Sequence, residues 1–446
     1  MKTWRMPERT IPHCDTYDVI VVGGGPSGCA AAAASAREGS STLLIEATGA
    51  LGGMGTLGLV PAWCPFSDKE KIIYRGLAER VFNETKAGMP HVRPDGMDWV
   101  PIDPERLKRV YDDLVTEFGA DILFNTALSA FEMQDGTVKT IIVTNKAGLS
   151  AYSAKVFVDC TGDADLCAWA GADFQKGDPA TGDLQPATHC FVITNVDPYH
   201  YATGPKFNRS GKNIPYQLVK DEKYPHIVDT HCCNSLIGPG AVGFNSGHIY
   251  QVDNTDPVSL SKAHIQGRKM AAQYRDALAE YMPGAFGAGF LAATGTLMGI
   301  RETRRIVGDY VLTKDDYVAR RSFNDEICRN AYYIDIHLSK DEERLYNEGK
   351  LDFNTRALHY SPGESHGVPY RCLTPKGIKN ALVAGRSIST DRTVQGSTRV
   401  MPVCLAMGEA AGLAASHAIR DAGSDVHAVN VDTLRNRLKE EGAYLP

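Results

Sequence analysis

Residues 17–28 read Tyr17-Asp18-Val19-Ile20-Val21-Val22-Gly23-Gly24-Gly25-Pro26-Ser27-Gly28, and Leu43-Leu44-Ile45-Glu46 follows soon after. The run up to Val22 is apolar and valine-rich, the pattern of a parallel strand covered on both faces. Gly23 permits the tight turn out of that strand. Gly25 removes the side chain that would block a pyrophosphate, and Gly28 lets the next helix pack against the sheet. Pro26 and Ser27 open that helix, which is expected to run to about Glu38 and is dominated by alanine, the best helix former. Its free N-terminal amides and dipole form an anion site. Ser40 to Glu46 reads as a second strand. Glu46 falls at about the 20-residue spacing expected of an acid that takes a ribose hydroxyl pair. The unit therefore reads as a dinucleotide site, and the acid argues against a 2′-phosphate.

The glycine pattern alone is weak. Gly238-Pro239-Gly240-Ala241-Val242-Gly243 repeats it, but Phe244-Asn245-Ser246-Gly247 opens no helix and no strand ending in an acid follows, so this copy reads as a loop.

The bulk properties exclude several classes. The chain has 446 residues, 43% hydrophobic and 22% charged, as in ordinary globular proteins. A net charge of −6 gives no reason to expect nucleic acid or an anionic membrane as partner. No run suggests a bilayer span and Met1 to Arg9 has no signal-peptide core, so a cytoplasmic protein is expected. The 11 cysteines are scattered without a CxxC, which counts against zinc or iron–sulfur sites, and no metal is expected. The vicinal Cys232-Cys233 reads as two reduced thiols.

Along the chain, residues 1–15 form a polar leader and 16–172 the first part of the dinucleotide domain. Asp103-Pro104 starts a helix with Leu107, Val110, Leu114 and Phe118 at helical spacing. Strands are expected around 121–133, 136–144 and 154–159. The pattern changes over 173–370, read as an inserted α+β cap with a long helix from Asp256-Pro257 to Tyr281. The first fold resumes over 371–446. Asn380 to Arg386 is a buried strand ending in glycine, and Val403 to Ala422 is an Ala- and Gly-rich helix. The fold class is thus α/β: a discontinuous Rossmann-like domain with an inserted cap.

Two features select FAD over a nicotinamide. Leu51-Gly52-Gly53-Met54-Gly55-Thr56 lets the backbone lie against a long extended cofactor. The returning C-terminal helix aims its positive end at the far end of the same ligand, where it would stabilise reduced flavin.

These segments resemble the FAD-dependent oxidoreductase family that stands beside the fumarate reductase and succinate dehydrogenase flavoproteins, with a glutathione-reductase-like FAD fold. The resemblance rests also on Val158 to Asp165, Leu184 to Thr188, Gly299 to Ile306, Ile334 to His337, Pro369 to Leu373 and Gly385 to Gly412. It implies FAD, a cap over the flavin and hydride chemistry on a small molecule. By this resemblance Gly23, Gly25, Pro26, Ser27 and Gly28 hold the pyrophosphate and Glu46 the adenosine ribose. Gly52, Gly53 and Thr56 line the extended cofactor, and Ala127 meets the adenine through its backbone. Thr161, Gly162 and Asp163 close over it, and Gly385, Arg386, Arg399 and Met401 lie near the ribityl chain and ring.

Flavin chemistry also needs a proton donor or acceptor. His337 is the first candidate, with Asp335 on the same side if Tyr333 to His337 is a strand. Arg301, Arg304 and Arg305 could clamp a carboxylate if helical. His366, Tyr370 and Arg371 lie where the chain returns from the cap. The full arginine and histidine pattern of fumarate reductase is not present. The expected activity is hydride transfer between FAD and a sugar, hydroxy acid or unsaturated acid. The alternatives are an electron-transfer subunit and a biosynthetic flavoprotein on this fold. A homo-oligomer is compatible with the sequence, and the electron acceptor is open.

Overall fold

The computed structural model describes residues 3–205, 207, 214–350 and 358–446. Its main sheet contains β1 (His13–Val22), β2 (Thr42–Ile45), β3 (Asp121–Leu123), β4 (Ala127–Gln134), β5 (Thr137–Asn145) and β6 (Gly148–Asp159), in the order β3-β2-β1-β6-β5-β4. Strand Ala381–Val383 joins β6 in parallel. β3, β2, β1, β6 and this returning strand are parallel, whereas β4, β5 and β6 form an antiparallel meander. Val22 stands level with Ile45 and Asp159, and Val383 with Asp159. The carboxyl ends of four strands therefore share one edge, where open α/β sheets bind ligands.

β1 begins at His13, earlier than the apolar run indicates, because β6 is long enough to pair its exposed outer half. The strand expected over 121–133 is broken into β3 and β4. Asn125 supplies the break with φ of 50°, a left-handed conformation that asparagine tolerates.

Helix α1 (Pro26–Arg37) is buried along nearly its whole length, which only alanine-sized side chains allow. It packs on helix Met401–Asp421 through glycines. A Cβ at Gly408 would stand 2.1 Å from Ser27 O, and one at Gly412 would stand 2.1 Å from Ala31 O. Helix Met401–Asp421 is long and apolar enough to cross a bilayer by composition, but 89% of its apolar window is buried within the fold.

The inserted region has its own antiparallel sheet, ordered Phe290–Thr294, Phe191–Thr194, Ala241–Ser246, Cys232–Gly238. The second glycine pattern is the turn of its hairpin, with Gly240 at φ of 68°. Helix Pro257–Tyr281 covers this sheet with Met270, Tyr274 and Leu278, and Phe191 stacks on Phe244 at 4.9 Å. This core spans Ala187 to Ile300. Residues from Leu312 to Leu373 pack instead with Trp63, Phe66 and the two glycine-joined helices.

The Arg301–Arg305 segment is not helical. Arg304–Ile306 is a strand paired with Phe174–Lys176, so Arg304 and Arg305 point to opposite sides. Tyr333 to His337 is neither helix nor strand.

Candidate functional site

Two adjoining cavities lie at the carboxyl edge of the main sheet. The first, about 340 Å³, is lined by Gly23, Gly25, Pro26, Ser27, Glu46, Gly53, Ala127, Thr161, Gly162, Gly385, Arg386, Arg399 and Met401. The second, about 890 Å³, lies under the cap and carries His231, Arg301, Asp335 and His337. Met54, Ile300, Arg386, Arg399 and Met401 line both.

The first cavity fits an FAD. Gly23 has φ of 99° and turns the chain at the end of β1. A Cβ at Gly25 would meet nothing within 4 Å, so the space before it is open to a ligand rather than filled by protein. Gly25 caps α1 without any side-chain bond, and the first turn holds no acidic residue, which leaves its amides for an anion. Gly28 lines neither cavity; a Cβ there would stand 1.8 Å from Gly23 O, so this glycine serves helix packing. Arg386 Nε and Arg399 Nε are buried without a hydrogen-bond partner, two donors aimed at the cavity region.

Glu46 is engaged by the loop around it. Its Oε2 accepts from Gly24 N at 2.7 Å, and Oε1 accepts from Thr48 N at 2.8 Å and Thr48 Oγ1 at 2.6 Å. These bonds fix the carboxylate at the cavity wall and leave lone pairs for ribose hydroxyls. Gly52, Thr56 and Asp163 do not line the cavity. Gly52 donates its N–H to Gly24 O, and Thr56 donates to Leu51 O, so both brace the glycine turn. Asp163 pairs with Arg386 at 2.9 Å and accepts from Thr303 and Asn254. Burial opposes its charge, but Arg386 and these donors hold its carboxyl below the usual range. Asp163 thus positions Arg386.

In the second cavity Arg301 is buried. Its Nη1 donates to Pro186 O at 2.8 Å and Thr188 Oγ1 at 2.9 Å, and its Nη2 stands 3.4 Å from His231 Nε2 and Asn245 Oδ1. None of these partners is a carboxylate. Burial pushes the guanidinium down to about 10, with the nearby Arg399 charge acting the same way. Arg399 donates to Asp335 O at 2.9 Å and Oδ2 at 3.1 Å, and Tyr332 donates to the same Oδ2 at 3.1 Å. Burial would raise Asp335, but His337, Arg399 and Arg301 hold it well below the usual carboxylate range. His337 Nε2 lies 3.5 Å from Asp335 Oδ2. Burial and the Arg301 charge push its imidazole well below the usual range, while Asp335 acts the other way. Gln185 fixes His337 by accepting from its backbone N–H at 3.2 Å, and is itself held by Gln395.

The remaining sequence candidates lie outside both cavities. Arg304 pairs with Asp165 at 2.6 Å, because strand pairing turns it away from Arg301. Arg305 is buried against Glu302 at 2.5 Å. His366 sits in strand His366–Pro369 beside Tyr360 Oη at 3.0 Å, and burial pushes it down to about 3. Tyr370 donates to Val426 O at 2.7 Å within the core. Arg371 faces Asp325 at 2.8 Å. His366, Tyr370 and Arg371 are structural because the chain returning from the cap crosses the core rather than the cavity.

Sequence reasoning missed His231, His248, Asp229 and Trp99. The histidines are separated in sequence and carry no spacing signal. Yet His231 and His248 stack at 4.5 Å, and His248 Nε2 meets His337 Nδ1 at 2.7 Å. The ligating nitrogens of the three lie within 4.8 Å of one another, the one such group among the described residues. Trp99, half exposed at the rim, has φ of 55°, an outlier for so bulky a residue.

Fold and site together define a flavoprotein of the two-cavity kind, a dinucleotide cradle opening onto a capped substrate chamber. The chain belongs to the FAD dependent oxidoreductase family, whose pattern it matches over residues 18–438. The protein is a flavin enzyme and its cofactor is FAD. It is similar to a glutathione reductase of Yarrowia lipolytica, 29% identical over 165 residues, a stretch that spans 34% of this chain and 33% of that enzyme. Among solved structures it is similar to a geranylgeranyl bacteriochlorophyll reductase-like protein of Thermoplasma acidophilum, at 14% identity, covering 96% of this chain and 84% of that one with a TM-score of 0.44. It is likewise similar to BexE, at 13% identity over 95% and 68% of the chains, with a TM-score of 0.48.

Proposed function

We propose that this protein transfers a hydride between FAD and a small carboxylate, a hydroxy acid or an unsaturated acid. The observation that carries the substrate class is Arg301: a buried guanidinium with no carboxylate in ion-pair distance among the described residues, in the chamber that adjoins the FAD cavity. Asp335 acts on this guanidinium only from beyond ion-pair distance; a buried cation without a directly paired anion is costly, and an anionic substrate supplies that partner. FAD, when bound, supplies the hydride acceptor or donor. Arg301 binds the substrate carboxylate. Arg399, held by Asp335, orients the neighbouring face of the chamber. His337 Nε2 takes or gives the proton that accompanies the hydride, and the cap excludes water.

Kinship with the fumarate reductase and succinate dehydrogenase flavoproteins is part of this reading, supported by the arginine-bearing cap. The reading also takes the protein as a cytoplasmic dehydrogenase or reductase acting without nucleic acid or membrane, which the net charge of −6 supports. A homo-oligomer fits it equally.

The test is anaerobic mixing of FAD-loaded protein with hydroxy acids, unsaturated acids after photoreduction, and neutral sugars, read at the flavin absorbance. Hydroxy acids are expected to bleach the oxidised flavin, or unsaturated acids to reoxidise the reduced form. Arg301→Ala is expected to weaken the substrate's apparent affinity by about 10- to 100-fold, the loss of a charged hydrogen-bonded pair. Response to sugars alone, unaffected by Arg301→Ala, overturns the carboxylate assignment.

A further inference from the structure

Trp99 has no part in the reading above, yet among the described residues it is the one large apolar side chain of the chamber wall that stands exposed. A single exposed tryptophan would need no explanation, but its backbone does. Trp99 has φ of 55°, a left-handed conformation that bulky residues avoid and glycine adopts freely. The loop enforces it from both sides. Phe66 N donates to Met97 O at 3.1 Å, Asp98 accepts from Ser67 N at 3.1 Å and Ser67 Oγ at 2.8 Å, and Trp63 N donates to Val100 O at 2.8 Å. The turn alone asks for glycine, so the indole answers another demand. Strain that the surrounding structure over-determines collects at ligand clamps.

Trp99 also ends a row of rings. It meets Tyr332 edge-on at 6.3 Å, Tyr332 meets Tyr333 at 4.4 Å, and Tyr333 stacks on His359 at 4.7 Å. Tyr332 and Tyr333 each have a ring on both sides, whereas Trp99 has a neighbour on one side of the row and stays half exposed. Tyr332 Oη donates to Asp335 Oδ2 at 3.1 Å, which ties the row to the charged end of the chamber, where Arg301 and Arg399 stand. One tyrosine side chain thus spans from that end to the indole. At about 890 Å³ the chamber has the size that holds a drug-sized ligand, far more than a short-chain acid fills.

Charge selects what the indole can face. Arg301, Arg386 and Arg399 line the chamber against one carboxylate, Asp335. That balance repels a cation, and a neutral ring is the other partner that an aromatic face takes. We propose that Trp99 is a substrate-binding residue and that the substrate is a carboxylic acid carrying a planar aromatic ring, with the carboxylate on Arg301 and the ring on the indole. The inference rests on the reading of Arg301 above and narrows its substrate class. Trp99 sets specificity and takes no part in the hydride or proton steps.

The experiment compares matched acids on FAD-loaded protein without oxygen: phenyllactate against lactate for the oxidised flavin, and cinnamate against crotonate for the photoreduced flavin. The aryl acids are expected to half-saturate at about tenfold lower concentration, from ring contact and buried area. Trp99→Gly relieves the backbone, so it should keep the parent's melting temperature and FAD content. Its KM for the aryl acid should rise about tenfold while kcat holds within about twofold, the mark of a lost binding contact. The alkyl acids should not respond, and Trp99→Phe should restore most of the aryl preference. If Trp99→Gly does not load FAD, Trp99→Leu, which keeps apolar bulk without a ring, carries the same comparison. A variant that keeps the parent's aryl preference overturns the inference, and so does one in which aryl and alkyl acids weaken alike. If none of these acids changes the redox state of the flavin, the hydride-transfer reading fails, and Trp99 is then decided by binding alone. Cinnamate should still perturb the flavin absorbance at about tenfold lower concentration in the parent than in Trp99→Gly, and equal binding overturns the inference.

Discussion

Replacing Gly25 by alanine separates the demands of the fold from those of the cofactor. The residue has φ of −70° and ψ of −176°, which alanine adopts freely, and an added Cβ would meet no protein atom within 4 Å. In the cofactor-free protein two small effects oppose each other. Loss of unfolded-chain entropy stabilises by about 0.4–1 kcal/mol, while alanine is a poorer helix cap than glycine by a similar amount. The unfolding temperature of the stripped protein is therefore expected to stay within about 2 °C of the parent. With FAD the outcome differs, because the methyl group enters the space in front of the α1 amides. Pushing a phosphate off one or two charged hydrogen bonds costs about 1.5–3 kcal/mol, or about 10- to 100-fold in affinity. Titration of stripped protein by flavin fluorescence, beside a thermal melt, measures both. FAD binding within twofold of the parent would refute the placement of the pyrophosphate at Gly25. A large fall in the stripped protein's melting temperature would refute the claim that protein leaves this space open.

Gly408→Ala should behave oppositely to Gly25→Ala. Its Cβ would stand 2.1 Å from Ser27 O, so helix packing loses about 1–3 kcal/mol and both the melting temperature and the flavin content drop. Glu46→Ala frees Gly24 N and Thr48 and removes a ribose acceptor, so the FAD dissociation constant should rise about tenfold or more, measured by the same titration. His366 is neutral in the fold, with its pKa pushed down to about 3, so the unfolded chain binds the extra proton as pH falls below about 6.5. Its contribution is present above the unfolded value and is lost on acidification, about 2 kcal/mol between pH 7 and pH 5. Urea unfolding at the two pH values should show that His366→Phe flattens this difference.

The cofactor half of the site was legible in the chain. The strand–glycine–helix–strand–acid run is local, and each residue answers a need that its neighbours create. The glycines gave their backbone roles away because no other residue makes a turn like Gly23 or lets a helix approach as Gly28 does. Even there, the pattern points Gly52, Thr56 and Asp163 at the ligand, whereas the fold uses them to brace the turn and to hold Arg386. The substrate half was legible only in part. The arginines over 301–305 match a helix or a strand equally well on paper, and strand pairing separated Arg301 from Arg304 and Arg305. His366 and Tyr370 sit next to a crossing point in sequence, but their rings are spent on the core.

By itself, then, the sequence determined the α/β class and the dinucleotide unit, because strand burial, helix packing and anion binding are written within about thirty consecutive residues; Leu51 to Thr56 and the returning Asn380 to Ala422 segment added the discontinuous domain and FAD. The tertiary structure decided which polar residues face the chamber and how they are joined. Asp229, His248 and His337 come from distant segments, and their relation rests on contacts of 3.2 Å and 2.7 Å that no spacing encodes. Such contacts exist only once the cap is folded onto the sheet.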